Sequence, residues 1–197
     1  MPLLLMKRKL DDIAGISTGV FKKGSPSGTV FYLQAKHFDD YGRFHPDGVV
    51  SPEISMDDRL ERHLLQEGDI LLISKGDSNR ACLYQTEVGP AVASSTFFVI
   101  RLRSNEVLPE YLQWYLNTSF LQSTLFALSR GTRILSLSKK ALAKVEVSIP
   151  SIRQQEQILK AQALWEKERA LTFELVELKG ALYQNLLFNL TKSNTNA

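Results

Sequence analysis

Two acidic side chains and a lysine form the residue set with the clearest potential for catalysis. Asp47 follows Pro46, while Glu177 and Lys179 flank Leu178, an order in which a nuclease can hold Mg²⁺ and position water. Glu177 and Lys179 fall within a long helical segment, however, where Glu and Lys are ordinary solvated residues far from Asp47 in sequence. A magnesium-dependent nuclease is therefore the least favoured function.

Other residues that could bind phosphate or metal lack the neighbours that this chemistry needs. Gly19 and Gly24 have the spacing of a phosphate-binding loop, but Ser25 follows where such a loop needs Lys and then Ser or Thr. The single cysteine, Cys82, lies in an apolar run typical of a core and excludes an internal disulfide. The histidines are not spaced like metal ligands; they are His37, His45 and His63. With no methyltransferase motif or glycine-rich cofactor motif either, we predict no catalytic residue, no cofactor and no metal.

Basic residues are concentrated in one part of the chain, although the net charge is only +3. No acidic residue lies between Glu110 and Glu146, and the basic residues in that stretch are Arg130, Arg133, Lys139, Lys140 and Lys144. Charge of one sign over such a stretch creates a local positive field, which attracts phosphate. The segment from Glu53 to Asp69 is acidic, and we expect it to face away from phosphate.

The elements that must position these charges are short strands and helices. Continuous apolar runs at 70–73 and 97–100 predict strands that are buried on both faces. The remaining patterns predict strands at 29–35, 81–86 and 145–149, helical turns at 10–14 and after Ser138, a short helix at 59–66, and a helix from Pro109 with a break near Asn117. Residues 1–150 are therefore predicted to form a mixed α/β (α+β) globular domain.

A long amphipathic helix is predicted to follow Pro150. Ser151 and Gln154 form a capping box, and residues 151–190 contain no proline and only one glycine. Leucines repeat at coiled-coil spacing, interrupted once by Glu168; they are Leu164, Leu171, Leu175, Leu178 and Leu182. A helix of this length extends about 60 Å, so its apolar stripe needs a partner helix. Residues 191–197 are predicted to be a flexible polar tail.

The sequence contains no segment expected to enter a membrane. Leu3, Leu4 and Leu5 are too few for a signal peptide, and positive charges follow them instead of preceding them. No later stretch has the length and apolar character of a transmembrane helix. We therefore expect a cytoplasmic protein.

Several segments, taken in order, together resemble one protein family. These segments are Gly68-Asp69-Ile70-Leu71-Leu72-Ile73 with Gly76, the apolar run from Ser95 to Leu102, Leu108-Pro109-Glu110-Tyr111-Leu112 with Leu116-Asn117, Gly131-Thr132 with Leu137 to Leu142, and Val147-Ser148-Ile149-Pro150 followed by Gln154, Gln155 and Ile158. Each match alone is common, but their order and spacing over nearly the whole chain are more specific. The chain resembles the target-recognition domains of type I restriction-modification specificity subunits.

The resemblance implies a non-catalytic protein that binds double-stranded DNA for a methyltransferase subunit, which the restriction subunit joins. A full specificity subunit has two recognition domains and two antiparallel helices, whereas this chain has one of each. The resemblance therefore implies a half-length form that pairs with a second copy through its helix and reads two identical, inverted half-sites. One alternative is a non-catalytic cassette or decoy that docks on a methyltransferase or on a longer specificity subunit.

The candidate DNA-binding residues lie in loops beside the predicted strands. Arginine can bind a guanine edge at two points, and asparagine an adenine edge, whereas lysine commonly binds phosphate. The predicted DNA-contacting residues are Lys36, Lys75, Asn79, Arg80, Ser95, Arg130, Thr132, Arg133, Lys139 and Lys140. The leucines of the long helix are the predicted dimerisation residues.

Overall fold

The computed structural model describes residues 6–22, 28–45, 50–85, 89–131 and 135–193. It divides between Gln155 and Glu156 into two units, of which the first holds the sheets and the second most of a long helix. The strands are β1 (Met6–Lys9), β2 (Ala14–Thr18), β3 (Phe31–Leu33), β4 (Ile70–Ile73), β5 (Ala81–Leu83), β6 (Ala91–Ala93), β7 (Phe97–Leu102) and β8 (Glu146–Ile149). The α-helices are α1 (Leu10–Ile13), α2 (Asp58–Glu61), α3 (Pro109–Leu116), α4 (Ser119–Leu128), α5 (Lys139–Ala143) and α6 (Ile152–Ser193), and Ala35–His37 forms a 3₁₀ turn. The predicted mixed α/β class with a long C-terminal helix is confirmed.

An antiparallel sheet with the strand order β2-β7-β4-β5 forms the centre of the first unit. The two predicted apolar strands are the neighbours β4 and β7, whose register pairs Ile70 with Ile100 and Ile73 with Phe97. Every residue of β4 is buried, as are the first four of β7. Continuous apolar runs therefore marked the strands that the rest of the domain covers, as predicted.

A smaller parallel pair, β3 and β6, packs with the central sheet around one aromatic core. Phe97 is fully buried, and its ring lies 6.0 Å from the ring of Phe38 at a nearly perpendicular angle. Cys82 belongs to the same cluster, as the apolar run predicted. Burial raises the pKa of the Cys82 thiol to about 12, so the thiol stays protonated near neutral pH.

Three strands were not predicted, and each has a physical reason. The first, β1, is charged and mostly exposed, and it forms by pairing with β8 rather than through an apolar pattern of its own. The other two, β2 and β6, are short and rich in Ala, Gly and Ser, which have weak strand preferences. Tertiary pairing determines all three.

The Gly68-Asp69 turn is held by an ion pair between a buried carboxylate and a partly exposed guanidinium. Both carboxylate oxygens of Asp69 accept from Arg101, at 2.8 Å from Nε and 2.6 Å from Nη2, and the N–H of Gln66 also donates to this carboxylate. Asp69 is fully buried, and its hydrogen bond raises the pKa of the Arg101 guanidinium. Gly68 has a φ of +80°, which favours glycine. This turn therefore fixes the start of β4 against the end of β7.

The break between α3 and α4 lies at Asn117, as predicted, and Thr118 caps α4. The Asn117 side chain accepts from the N–H of Ala81 and donates to its carbonyl, both at 2.8 Å. A side-chain amide thus replaces a neighbouring strand at the edge of β5. The interruption of the helix places this amide beside the sheet.

The entry into α6 is fixed by two glutamines. Gln154 Oε1 accepts from the N–H and the hydroxyl of Ser151, which forms one of the two reciprocal bonds of the predicted capping box. Gln155 is fully buried. Its side-chain Oε1 accepts from the N–H of Leu108, and its side-chain Nε2 donates to the carbonyls of Glu106 and Pro150. The first turn of α6 is therefore bonded to the segment that precedes α3.

Helix α6 has 42 residues and a length of about 63 Å. It continues to Ser193, slightly further than predicted, because no proline or glycine follows Gly180 to end it. Residues 194–197, the rest of the predicted tail, lie outside the described residues. The predicted dimerisation leucines are 51–70% exposed: Leu164, Leu171, Leu175, Leu178 and Leu182.

We predict that Asp69→Asn lowers the free energy of unfolding by about 2–4 kcal/mol, because it leaves the Arg101 guanidinium without its carboxylate partner. Urea unfolding followed by circular dichroism measures this change. The matched control is Glu146→Gln, which removes the exposed ion pair with Lys7 and should change stability by less than about 0.5 kcal/mol. Equal effects of the two variants would show that the buried pair does not hold the turn.

Candidate nucleic-acid interface

One end of the central sheet gathers most of the predicted DNA-contacting residues. The chain leaves β2 and β4 at this end and enters β5 and β7 there, because all neighbouring strands are antiparallel. The N–H of Gly19 donates to the carbonyl of Phe97 at 3.0 Å, and the N–H of Ser74 to that of Thr96 at 2.8 Å. We call this end of the strands the loop end of the sheet.

Ser136 joins the loop after β4 to the glycine turn at residue 131. Its backbone forms single-residue bridges with both Lys75 and Arg130, with N–H to carbonyl distances of 2.8 and 3.0 Å to Arg130. The N–H of Leu137 donates to the carbonyl of Ser74 at 2.8 Å, which extends the contact. Lys75 and Arg130, both exposed, are therefore held on either side of Ser136.

A serine and threonine turn lies next to this cluster. The hydroxyls of Ser94 and Thr96 are 2.6 Å apart, and the Ser74 hydroxyl donates to the carbonyl of Thr96 at 2.8 Å. Ser95, between them, is half-buried. The N–H of Ser94 donates to the carbonyl of Leu33, the last residue of β3. The exposed Lys36, three residues after Leu33, therefore lies near the same end of the sheet. The loop end thus carries hydroxyl groups as well as cations.

Asn79 and Arg80 lie at the loop end, but their polar groups bind other parts of the chain. Asn79 is only 7% exposed; its amide donates to the carbonyl of Ile73 at 2.9 Å and accepts from the hydroxyl of Ser129 at 3.3 Å. Arg80 Nη1 donates to Asp40 at 2.9 Å, and its Nη2 donates to the carbonyl of Phe38 at 3.4 Å. A DNA contact through either residue would require these side chains to change partners.

The remaining candidates differ in how well they are placed. Lys139 and Lys140 are exposed in the first turn of α5, which Ser138 caps. The residue before this cap, Leu137, donates its N–H to the carbonyl of Ser74, so the start of α5 is tied to the loop after β4. Thr132 and Arg133 lie outside the described residues. Of the proposed nuclease residues, Asp47 also lies outside them, while Glu177 and Lys179 are exposed on α6.

The charge of the loop end is mixed. Asp77 is exposed in the same loop as Lys75, and Asp57 binds Lys22 at 2.8 Å in the segment after β2. The acidic segment 53–69 is therefore not entirely turned away from this end, contrary to our expectation. Asp57 contacts the loop end through Lys22, whereas Asp69 is buried in the turn at the opposite end of β4.

The described residues offer little for metal chemistry. Within them, no three His, Cys, Asp or Glu side chains cluster to hold a metal ion. His37 Nδ1 accepts from the N–H of Gln34, so that nitrogen supports the 3₁₀ turn, and burial lowers the pKa of the ring. No helix in the described part of the chain is long and apolar enough to cross a membrane.

The sequence did not identify Ser136 as part of this site. Ser136 contributes through its backbone, which pairs with the nearby Arg130 and with the distant Lys75. A serine between two apolar residues carries no signal for such pairing.

Comparisons with known proteins show a family match over most of the chain and similar folds among solved structures. Residues 4–169 match the family described as the type I restriction modification DNA specificity domain. The fold is similar to crystal structures of the type I restriction-modification S subunit of M. genitalium (16% identity, TM-score 0.57) and the HsdS subunit of Thermoanaerobacter tengcongensis (15%, 0.60). It is also similar to a structure from work on complex assembly and conformational transition of the type I R-M system (15%, 0.69). These matches cover 82%, 86% and 93% of this chain but only 39%, 39% and 44% of those chains. None of the curated proteins has a significant sequence match.

We predict that Asn79→Ala destabilises the fold by about 1–3 kcal/mol, because it leaves buried partners without hydrogen bonds. Lys75→Ala, four positions away and exposed, should change stability by less than about 0.5 kcal/mol. Thermal or urea unfolding of both variants measures the difference. An Asn79→Ala protein as stable as wild type would show that the amide is not needed for folding and is available to a ligand.

Proposed function

Since the chain belongs to the family of type I restriction-modification DNA specificity domains, we propose that it recognises double-stranded DNA with the loop end of its sheet. Specificity subunits of this family are not catalytic, so the chain is not an enzyme. The observation that supports the proposed site most directly is the placement of Lys75 and Arg130 on either side of Ser136, on a backbone bonded in several places.

The loop end has the groups that duplex recognition needs. Lysine and arginine neutralise phosphates, and hydroxyl groups around Ser95 and Thr96 can donate to phosphate oxygens. Arg130 can bind a guanine edge through two donors. Lys36, Lys139 and Lys140 add exposed cations at the margins of this end. Because the backbone of the loops is bonded to the sheet, these groups meet DNA with little loss of conformational entropy.

The exposed seam of α6 supports pairing with a second copy. The chain spans about two fifths of the length of the solved structures it matches. We propose that the leucine seam of a second chain covers this one, which gives a homodimer with two recognition domains. Such a dimer reads inverted repeats of one half-site.

The polar residues of the seam select the orientation of the pair. Two parallel, in-register helices would place Glu168 against Glu168 of the other copy, a repulsion between like charges in an apolar seam. In an antiparallel pair, Leu175 can instead face Leu178 of the other copy. The same register places Leu171 opposite Leu182, and Glu168 opposite Asn185, whose amide can donate to the carboxylate. The proposed dimer is therefore antiparallel with this register.

Partners beyond DNA and a second copy follow from the family. We propose that the dimer binds a methyltransferase subunit, and through it the restriction subunit, in the cytoplasm. Two observations support this proposal: the family match, and the presence on α6 of exposed apolar residues that do not belong to the leucine seam. Phe173, Val176 and Tyr183, for example, lie outside the seam and are exposed.

For DNA binding, we predict that Lys75→Ala weakens the affinity for any duplex and lowers the slope of log K against log salt concentration by about one. The physical reason is that one phosphate contact, with its released counterion, is lost. Fluorescence anisotropy of a labelled mixed-sequence duplex, titrated at several salt concentrations, measures both quantities. Lys160→Ala changes the net charge equally on exposed α6 and should leave the slope unchanged. Wild-type protein that binds no duplex at low salt would contradict the proposed function.

For assembly, we predict that an equimolar mixture of a Leu175→Cys chain and a Leu178→Cys chain forms an intermolecular disulfide under mild oxidation, whereas each variant alone does not. Only the antiparallel register brings these two positions together. Non-reducing gel electrophoresis measures the product. The buried Cys82 should not interfere, since its thiol stays protonated.

A mixture of Leu171→Cys and Leu178→Cys chains is the matched control, because the register does not place those positions opposite each other. Cross-linking of the Leu175→Cys chain with itself would indicate a parallel pair. A strict monomer in light scattering at high concentration would rule out the dimer.

A further inference from the structure

The segment after β2 is held firmly against the loop end of the sheet. Its glycine spacing does not suffice for a phosphate-binding loop, and in the structure Gly19, Val20 and Lys22 are bonded to other parts of the chain. The N–H of Val20 donates to the carbonyl of Ala93 at 2.8 Å, and the hydroxyl of Tyr32 donates to the carbonyl of Val20 at 3.0 Å. Lys22 binds Asp57 at 2.8 Å.

Gly19 is required here by close packing. A Cβ atom at this position would lie 2.1 Å from the carbonyl oxygen of Ser94 and 2.6 Å from that of Ala93, both backbone atoms that cannot move aside. The chain therefore passes directly over the Ser94–Thr96 turn, which belongs to the loop end. The glycine serves this approach and not a phosphate.

Between the bonded residues Val20 and Lys22, the side chain of Phe21 is 78% exposed. Single exposed apolar residues are common on protein surfaces. Phe21 differs in that the backbone before it is bonded at Gly19 and Val20, that the side chain after it is paired with Asp57, and that it lies at the end of the sheet proposed to meet DNA. The lysine beside it is already paired with Asp57, so the ring is the group that this segment presents to the solvent.

We propose that Phe21 makes an apolar contact with the bases of the bound duplex, against a thymine methyl group or wedged at a base step. This inference rests on the proposed DNA-binding function and adds a specificity-determining residue to it. Phenylalanine can contact a thymine methyl in the major groove, and apolar side chains insert between base steps in the minor groove. Such contact buries apolar surface and releases no counterion, so it differs from a phosphate contact in its salt dependence.

The test compares Phe21→Ala with wild type in the salt titration of a labelled mixed-sequence duplex, using the full chain. We expect an affinity lowered about tenfold at every salt concentration, a loss typical of one aromatic contact with a base, and an unchanged salt slope. Phe173→Ala is the matched control, since Phe173 is 68% exposed on α6, which carries none of the proposed DNA-contacting residues. It should bind as wild type does.

A second variant keeps the test independent of any loss of folding in Phe21→Ala. Phe21→Trp retains an aromatic ring, so it should bind nearly as well as wild type, and its added indole emission should change when the duplex is bound. Melting temperatures of all variants establish that they are folded.

The outcomes separate this inference from the function it rests on. If wild type binds no duplex, both fail together. If Lys75→Ala lowers the salt slope while Phe21→Ala binds like the Phe173→Ala control, DNA binding stands and the role of Phe21 is overturned. A lowered salt slope in Phe21→Ala would also overturn it, because the residue would then act through phosphate contacts. An unchanged indole emission in Phe21→Trp on binding would contradict contact with the bases.

Discussion

The ion pair between Asp69 and Arg101 is the constraint on which the arrangement of the sheet depends. It joins Asp69, the residue before β4, to Arg101 near the end of β7. In the antiparallel register of these two strands, Ile73 lies opposite Phe97. Ser74 and Thr96 therefore meet at the far end of the same two strands. A charge pair buried at one end of the sheet thus helps to determine which loops lie side by side at the other. Its cost of desolvation is offset because both carboxylate oxygens are bonded and the guanidinium is partly solvated.

Sequence patterns predicted those parts of the fold that depend on local rules. The apolar runs of β4 and β7, the proline at the start of α3, the break at Asn117 and the contact between Ser151 and Gln154 at the start of α6 each have a local physical cause, and the structure contains all of them. In contrast, β1 and β6 form only through their partners, so a single-sequence pattern could not identify them. Long-range pairing is the part of the fold that local patterns leave open.

The candidate site shows the same division. Exposed cations in loops were selected from residue type and neighbouring glycines, and Lys75 and Arg130 do lie together. Their proximity depends on the backbone of Ser136, which no residue-type pattern indicates. Asn79 and Arg80 had equally suitable side chains, but burial and internal bonding occupy them. Residue chemistry therefore indicates what a side chain is able to do, while its partners in the fold determine whether it is available.

The unbroken length of α6 has a consequence for how such proteins can diverge. Inserting a single residue would turn everything beyond it by about 100°, so the leucines on either side would no longer form one stripe. Inserting seven residues keeps the stripe nearly continuous and lengthens the helix by about 10.5 Å, close to the rise of three DNA base pairs. Separation between two recognition domains on such helices would therefore evolve in discrete steps, and new binding sites would differ in spacing by roughly three base pairs for each step.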